Sequence, residues 1–440
     1  MSNTPQTQSR ALRVPAGRIN RFARLGGVAT GIAGTMALNA MGQMGRGTKP
    51  EFRSLLMTPG NMRRLADELA RMRGAAMKVG QLISMDAGDV LPPELADIMG
   101  RLRDQAHFMP PGQLKKVLNA NWGNDWLRDL RRFDVHPIAA ASIGQVHRAM
   151  LKDGRDVAIK VQYPGIAKSI DSDVTNVGAL VRMTGLLPKG FDLAPYMDEA
   201  RRQLHEETDY AREGNYLHRF GDWLAGDIRF EVPIHHADWS TSDILCMSYV
   251  EGHAIEDAGA QPLETRNQIM QDLIELMLRE VFELGVIQSD PNFANFRFNP
   301  DTGRIVLLDF GAARPIKAQV VDQYRRLIQT GMAGDYGAAE NVADEMGILP
   351  ATPSKHREQL VQMMGMVFDD LRRAQVYDFT DMTLSRKMQE QGRALAESGY
   401  LPPAVDMDVL YLQRKFGGIF LLAHRLGVHI PLRALLARFV

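Results

Sequence analysis

Two aspartates and an asparagine in the second half of the chain have the types and spacing of a phosphoryl-transfer site. Asp290 and Asn295 open and close the stretch Asp-Pro-Asn-Phe-Ala-Asn, and Asp309 begins an Asp-Phe-Gly triplet after a predicted strand. In such a loop the aspartate orients the attacking group, while the asparagine and the later carboxylate hold magnesium beside the phosphates. We therefore predict Asp290 as a catalytic residue, and Asn295 and Asp309 as ligands of Mg²⁺ bound with ATP or ADP.

A lysine inside an apolar strand supplies the cation that this chemistry requires. Lys160 ends the run Val-Ala-Ile-Lys, and Glu213 follows on a predicted helix. Strand side chains alternate, so Lys160 points either to solvent or into a cleft. A glutamate that pairs with such a lysine fixes the ammonium against ATP phosphates, which predicts catalytic roles for both residues. Taken alone, the pair is more readily interpreted as a surface salt bridge. The order lysine, glutamate, Asp-x4-Asn and Asp-Phe-Gly favours the kinase-like interpretation.

The loop that precedes the lysine strand is rich in alanine rather than glycine. Because alanine adopts positive φ only at a cost, this loop must follow a path unlike that of a glycine-rich phosphate loop. A turn of small residues between strands is the alternative. The predicted nucleotide contacts, together with two from a later strand, are Ala139, Ala140, Ala141, Ser142, Ile143, Gly144, Gln145, Lys160, Met247 and Tyr249. After Gly311 the chain moves soon into a helix, which leaves no activation segment and argues against a peptide substrate.

The elements that must position these residues are a small sheet and many helices. Strands are predicted at 133–138, 145–151, 155–162 and 243–250, and a hairpin at 296–298 and 304–308. Helices are predicted at 61–104 in several pieces, at 192–217, at 265–284 and after 317. This pattern divides the chain into a basic arm (1–50), a helical extension (51–131), a sheet-bearing lobe (132–252) and a mostly helical lobe (253–440).

Composition narrows the classes of function. The 440 residues carry 52 basic and 52 acidic side chains, so no overall charge attracts nucleic acid. The single cysteine, Cys246, excludes an internal disulfide and a multi-cysteine metal site, and is best interpreted as a small buried apolar residue. The sequence has no run of 18 apolar residues, so it does not predict an ordinary membrane-spanning helix. Residues 1–50 carry seven basic residues and no acid, which predicts membrane-surface contact. A disordered arm, a helix packed on the protein itself and a transit peptide are the alternatives.

Three further motifs resemble those of the UbiB/AarF/ADCK family of atypical kinase-like proteins, most closely its coenzyme Q branch. They are Lys78-Val-Gly-Gln81, the alanine-rich stretch at 137–149 and Glu207-Thr-Asp209-Tyr. The resemblance implies an α+β, bilobal protein-kinase-like fold with an N-terminal helical extension and a helical C-terminal lobe. It also implies that Lys78 and Gln81 meet Glu207 and Asp209 where a peptide substrate would otherwise bind, so these four residues are predicted to gate the site.

The function implied by this resemblance is a Mg-dependent ATPase, or a small-molecule or lipid kinase, that supports ubiquinone biosynthesis. Its expected partners are ATP, a lipid or quinone precursor, a membrane surface and other ubiquinone-biosynthesis proteins. A nucleotide-gated lipid-binding chaperone with little turnover is the alternative, and a small-molecule kinase of the aminoglycoside or choline type is a third. Gln288-Ser289 stands where many bacterial members have His-Ala, and spanning helices are not expected at the C-terminus. We expect a cytoplasmic protein peripheral to the inner membrane, or a mitochondrial matrix protein if the arm is a transit segment.

Overall fold

The structure is a computed structural model whose described residues fall into two compact units. The first unit contains the described residues up to Asn215 together with Ile234–Tyr249, and the second contains Tyr216–Pro233 and Val250–Val440. The described residues are 58, 60, 61, 64, 67, 69, 72–87, 108–140, 143–183, 192–290, 292–349, 355–400, 403 and 405–440. The predicted basic arm at 1–50 lies outside them.

An antiparallel sheet forms the centre of the first unit. Its strands follow the order β1-β3-β4-β6, and β2 pairs with β3. The strands are β1 (Leu130–Phe133), β2 (Ala139–Ala140), β3 (Gly144–Leu151), β4 (Asp156–Gln162) and β6 (Ile244–Ser248). β3 and β4 are joined by a tight turn in which Gly154 has φ +98°, a conformation that glycine adopts without steric cost. The hairpin predicted at Asp153-Gly154 is therefore confirmed.

Among the described residues, five helices accompany this sheet. They are α1 (Arg73–Ala87), α2 (Pro111–Trp122), α3 (Ile166–Met183), α4 (Ala194–Glu207) and α5 (Tyr210–Leu224), the last of which begins in the first unit. α1 packs against α3 and α4, and α3 packs against α4. Pro111 begins α2, where its missing N–H costs nothing, and Gly123 ends it at φ +82°. α2 contributes Leu114 and Leu118 to an apolar core shared with the sheet.

The second unit combines short strands with a helical body. A four-stranded sheet has the order β5-β10-β9-β7, and β8 pairs antiparallel with β11. The strands are β5 (Phe230–Glu231), β7 (His253–Ala254), β8 (Val286–Gln288), β9 (Phe296–Asn299), β10 (Arg304–Leu307) and β11 (Ala313–Pro315), with the pair β12 (Tyr377–Asp378) and β13 (His429–Ile430). The helices are α6 (Leu263–Arg279), α7 (Ala318–Ala333), α8 (Tyr336–Glu345), α9 (Lys355–Arg373), α10 (Thr383–Glu397), α11 (Met407–Leu426) and α12 (Leu432–Leu436).

Several predicted elements differ from the observed ones for identifiable reasons. A strand was predicted at 133–138, but the observed strand β1 ends at Phe133 and the next strand, β2, begins only at Ala139. The single helix predicted at 192–217 is two helices, because the chain turns at Thr208 and Asp209 before α5 begins. The helix predicted at 265–284 becomes a π-helical turn from Glu280 onward and ends at Gly285, which has φ +63°. The region after 317 is mostly helical as predicted, except for β12 and β13.

Candidate functional site

Lys160 forms a buried ion pair with Glu213 in which its ammonium contacts both carboxylate oxygens. Its Nζ lies 2.8 Å from Oε1 and 2.9 Å from Oε2 of that carboxylate, and both side chains are almost fully buried. Lys160 belongs to β4, which has β3 on one side and β6 on the other, so its backbone is held in the middle of the sheet. An ammonium and a carboxylate remain charged in such a place only when they are paired. The predicted lysine and glutamate are therefore brought together within the first unit.

Asp209 fixes the helix that carries Glu213. The Asp209 side chain accepts a hydrogen bond of 2.9 Å from the Arg212 N–H, and its carbonyl accepts one of 3.0 Å from the Glu213 N–H. The first bond satisfies an N–H group at the start of α5 that has no partner inside the helix, and the second is the first intrahelical hydrogen bond of α5. Asp209 itself is exposed. The sequence predicted this aspartate as a gating residue, and the structure adds its capping role.

Lys78 and Glu207 form a second buried ion pair in the first unit. Lys78 Nζ contacts Glu207 Oε1, and the two side chains are 8% and 14% exposed. Lys78 lies on α1 and Glu207 is the last residue of α4, and these two helices pack together. Gln81 lies one turn after Lys78 and is half-buried. The pairing that the family resemblance implies for Lys78 and Glu207 is thus present in the structure.

The alanine-rich loop is bounded by a glycine that cannot be replaced without strain. Ala139 and Ala140 form β2, Ile143 is buried, and Ala141 and Ser142 lie outside the described residues. A Cβ placed on Gly144 would lie 2.5 Å from the Val161 carbonyl oxygen and 3.1 Å from the Tyr210 hydroxyl. Gly144 is therefore required by the close approach of β3 to its neighbours rather than by positive φ.

Gln145 takes part in a buried chain of hydrogen bonds that the sequence did not reveal. The Asp134 carbonyl can only accept, so His147 Nδ1 donates to it across 2.8 Å. His147 Nε2 must then accept from the Gln145 amide nitrogen, also at 2.8 Å. Gln145 Oε1 in turn accepts the Met109 N–H at 2.8 Å. This chain ties the segment before α2 to β3 and requires a neutral His147.

The two residues predicted on the later strand lie at its end. Met247 is buried and pairs with Ala158 in β4. Tyr249 follows β6, donates its N–H to the Asp156 carbonyl at 2.9 Å, and has the Arg148 guanidinium 3.6 Å from its ring centroid. Hydrogen bonds to Asp156 hold that guanidinium, the shortest being 2.6 Å. The tyrosine is thus fixed by a cation–π contact, which sequence patterns do not show.

The predicted catalytic and metal-binding residues of the second unit are linked to one another. The Asn295 amide nitrogen donates to the Asp290 carbonyl at 3.3 Å, and the Leu308 N–H donates to the Asn295 carbonyl at 3.0 Å. Asp309 follows directly, and its Oδ1 accepts the Gly311 N–H at 2.9 Å. These contacts bring the loop and the Asp-Phe-Gly triplet together.

Magnesium suits the donors that these residues present. Since the Asn295 amide nitrogen is engaged, its oxygen would be the atom to contact a cation, and Asp309 would add a carboxylate. Across the described part of the chain, no three His, Cys, Asp or Glu side chains gather as a self-sufficient metal site. Magnesium commonly uses one or two protein ligands and completes its shell with phosphate oxygens and water. When bound, the ion would neutralise charge on the phosphates.

Comparison with known proteins agrees with this geometry. Residues 101–343 match the family model described as the ABC1 atypical kinase-like domain. The atypical kinase COQ8 of Saccharomyces cerevisiae, a mitochondrial protein, is 35% identical over 95% of this chain and 83% of its own length. COQ8B of Rattus norvegicus, also mitochondrial, is 34% identical over 97% of this chain and 81% of its own. The chain belongs to the ABC1 atypical kinase-like family.

Membership of the ABC1 family confirms the predicted family, the α+β fold of the bilobal protein-kinase-like class, and an atypical, ATP-dependent phosphotransferase-like enzyme. The solved structure of Rv3197 from Mycobacterium tuberculosis, determined with erythromycin, agrees in fold. It has a TM-score of 0.60 and 24% identity, over 84% of this chain and 93% of that one. None of the helices in the described residues has the length and apolar character needed to cross a bilayer.

Helix α11, which follows the ABC1-matched region, also reaches the loop that carries Asp290. The Arg414 guanidinium lies 3.5 Å from Asp290 Oδ1. Lys415 contacts the buried Glu280 carboxylate and donates to the Gln288 carbonyl at 3.0 Å. Burial raises the pKa of Glu280, and the charge of Lys415 opposes that shift. No sequence motif marks Arg414, Lys415 or Glu280, so these residues were not predicted.

Proposed function

We propose that the protein binds ATP with Mg²⁺ and either hydrolyses it or transfers its terminal phosphoryl group to a small molecule or lipid. The observation that carries this proposal is the buried Lys160–Glu213 pair, at 2.8 and 2.9 Å. A buried ion pair costs desolvation energy, so its presence is better explained by function than by stability. In the proposed role, Glu213 holds the Lys160 ammonium where it contacts ATP phosphates.

The remaining predicted residues take matching roles in this proposal. Asn295 and Asp309 hold Mg²⁺, and Asp290 orients the attacking water or hydroxyl. Residues 139–145 with Met247 and Tyr249 contact the nucleotide. Phosphoryl transfer depends mainly on positioning and on neutralising charge, which these groups provide. Asp290 is partly exposed, with 25% of its side chain accessible, so a reacting group is able to reach it.

The contact between Lys78 and Glu207 supports a substrate other than a peptide. In the proposal, α1 with Lys78 and Gln81 and the Glu207-Thr-Asp209 segment cover the region that a peptide would use. The relatives are named atypical kinases and are mitochondrial. We therefore infer a role in ubiquinone biosynthesis at a membrane surface, with a lipid or quinone precursor and other proteins of that pathway as partners. The inferred location is the cytoplasmic face of the inner membrane, or the mitochondrial matrix.

Nucleotide turnover by matched variants tests the proposal. We expect Mg-dependent ATP hydrolysis that EDTA abolishes, and a loss of about 10²-fold or more in Asp309→Asn. Asp301→Asn is the control, because Asp301 is an exposed carboxylate in the turn between β9 and β10. Turnover in Asp309→Asn equal to that of Asp301→Asn would contradict the assignment. Tight ATP binding with no turnover in the wild type would favour the nucleotide-gated binding module instead.

The pathway assignment needs a separate measurement. Deleting the gene should lower the quinone content of the cell, and the wild-type gene should restore it while Asp309→Asn does not. Unchanged quinone content in the deletion would remove the pathway and leave the nucleotide site as proposed.

A further inference from the structure

The Asp290 carboxylate contacts a cation that comes from a distant part of the chain. The stretch 280–296 contains no lysine, arginine or histidine, so the loop supplies no cation of its own. Among the described residues, the polar group that contacts this carboxylate is the Arg414 guanidinium on α11, 3.5 Å from Oδ1. The environment of Asp290 therefore depends on a helix that lies beyond the region matched by the family model.

The backbone around Asp290 is held independently of its side chain. The Asn295 amide nitrogen donates to the Asp290 carbonyl at 3.3 Å, and the Ser289 N–H donates to the Ala312 carbonyl at 3.1 Å. Neither bond restrains the Asp290 carboxylate, because the terminal torsion of an aspartate is broad. A carboxylate that orients an attacking group must present an oxygen in one direction, so its orientation requires a further contact.

The residue next to Arg414 fixes α11 against the strand that leads into the loop. Lys415 donates to the Gln288 carbonyl at 3.0 Å, and its ammonium also contacts the buried Glu280 carboxylate. Gln288 ends β8 and lies two residues before Asp290. Two consecutive residues of α11 thus contact the same segment, Lys415 at the backbone and Arg414 at the side chain.

A second contact fixes the same face of α11. Tyr411 lies one turn before Arg414 and Lys415, so the three side chains share one side of the helix. The Arg314 guanidinium lies 4.3 Å from the centroid of the Tyr411 ring, and both residues are buried. Arg314 belongs to β11, which pairs with β8. The helix is therefore held against both strands of this pair, and Arg414 approaches Asp290 from a fixed base.

The contact between Arg414 and Asp290 is too long to be explained by stability. Charge-assisted N–H···O bonds are about 2.7–2.9 Å long, whereas this pair is separated by 3.5 Å. The two side chains are 17% and 25% exposed, and loose, partly solvated ion pairs contribute little to stability. A contact of this length leaves the carboxylate oxygens able to accept a hydrogen bond from another group, while the positive charge still favours one orientation.

We propose that Arg414 is a positioning residue for Asp290. Its guanidinium holds the carboxylate in the orientation in which an oxygen faces the attacking water or hydroxyl. Arg414 acts through Asp290 and contacts neither the nucleotide nor the metal. This inference rests on the proposed function for the role of Asp290, whereas the contacts of α11 with the loop are independent of that role.

Steady-state ATP turnover by Arg414 variants tests the role. Arg414→Met removes the charge and keeps a flexible side chain, and its kcat should fall by about 10–100-fold, because a misplaced reacting group costs up to about 10²-fold. The KM for ATP and the Mg-ATP thermal shift should remain at wild-type values. Arg414→Lys should stay within about fivefold of the wild type, because a single long contact requires the charge rather than the guanidinium fork.

The matched control is Arg425→Met, which makes the same substitution on the same helix. Arg425 is 58% exposed and contacts Glu256 rather than the Asp290 loop, so kcat should be unchanged. Thermal unfolding of each variant reports folding. Arg414→Gln replaces Arg414→Met if the methionine variant does not fold.

A double variant tests whether Arg414 acts through Asp290. In single-turnover measurements, adding Arg414→Met to Asp290→Asn should lower the rate by less than about twofold, because residues that act as one unit have non-additive effects. A further drop equal to that of Arg414→Met alone would overturn the proposal, since Arg414 would then act independently of Asp290.

Three other results would overturn the proposal. The first is equal kcat in Arg414→Met and Arg425→Met while Asp309→Asn is inactive, which would leave the proposed function and remove the role of Arg414. The second is a raised KM for ATP with unchanged kcat, which would make Arg414 a nucleotide contact. The third is a wild type without Mg-dependent turnover, which would remove the proposed function and this role with it.

Discussion

The two units differ in how the polar side chains of the candidate site are paired. In the first unit, Lys160 is held by Glu213, Lys78 contacts Glu207, and Gln145 lies in a continuous hydrogen-bond chain. In the second unit, Asp290 is partly exposed and the Gln288 amide oxygen lacks a protein partner among the described residues. In the first arrangement these groups are paired within the unit, whereas the second includes groups that a ligand is able to contact. Substitution of Glu213 in the first unit should therefore cost more stability than substitution of Asp290 in the second.

Glu213→Ala should have the largest effect on stability. It leaves the buried Lys160 ammonium without its partner, which costs about 3–5 kcal/mol in the free energy of unfolding. Urea unfolding measures the loss, and Asp222→Ala, an exposed carboxylate on the same helix α5, is the control. The double variant Lys160→Met with Glu213→Leu should recover most of the stability without nucleotide binding. Recovery of nucleotide binding as well would show that the pair serves the fold alone.

Gly144→Ala should destabilise the first unit by about 1–3 kcal/mol, since the new Cβ lies 2.5 Å from a backbone oxygen that cannot move aside. Gly112→Ala is the matched control, because a Cβ there meets nothing within 4 Å. Thermal unfolding of the two variants gives the comparison. Equal melting temperatures would mean that β3 relaxes away from β4 at little cost.

His147 should make the stability depend on pH. Burial lowers its pKa below the usual value of 6.5, and the hydrogen bond to Asp134 only partly opposes this. The unfolded chain therefore takes up the proton first, so this contribution is complete above pH 6.5 and declines as the pH falls toward the folded-state pKa. The decline is at most about 1.4 kcal/mol per pH unit.

Unfolding measured between pH 5 and 8 tests this dependence. His147→Gln should show a smaller pH slope than the wild type, whereas His253→Gln, at an exposed position, should keep the wild-type slope. Parallel slopes in all three proteins would show that His147 does not titrate as described.

Asp290→Asn should change stability least. The carboxylate is partly exposed, and its contact with Arg414 is long, at 3.5 Å, so the loss should stay below about 1 kcal/mol. ATP turnover should nevertheless fall by about 10²–10⁴-fold. Parallel losses of stability and turnover would contradict the difference between the units.

The sequence predicted elements and motifs well where the residue type by itself determines the chemistry or the local backbone conformation. Lys160, Glu213 and the Asp153-Gly154 turn were predicted from residue types at fixed positions along the chain. The break at Thr208-Asp209 was missed because both flanking helices have helical periodicity. The Gln145–His147 chain and the contacts of Arg414 and Lys415 were missed because they join residues distant in sequence. Such contacts depend on tertiary packing, which local sequence patterns do not show.

The buried contact between Lys415 and Glu280 also limits how far the chain can be truncated. The family match ends at residue 343, yet the ammonium that neutralises Glu280 comes from α11. A shortened chain ending at 343 would keep every motif named above but would leave the buried Glu280 carboxylate with the Gln288 N–H and without the Lys415 ammonium, next to the loop that carries Asp290. We therefore expect the smallest piece of this enzyme that folds by itself to include α11.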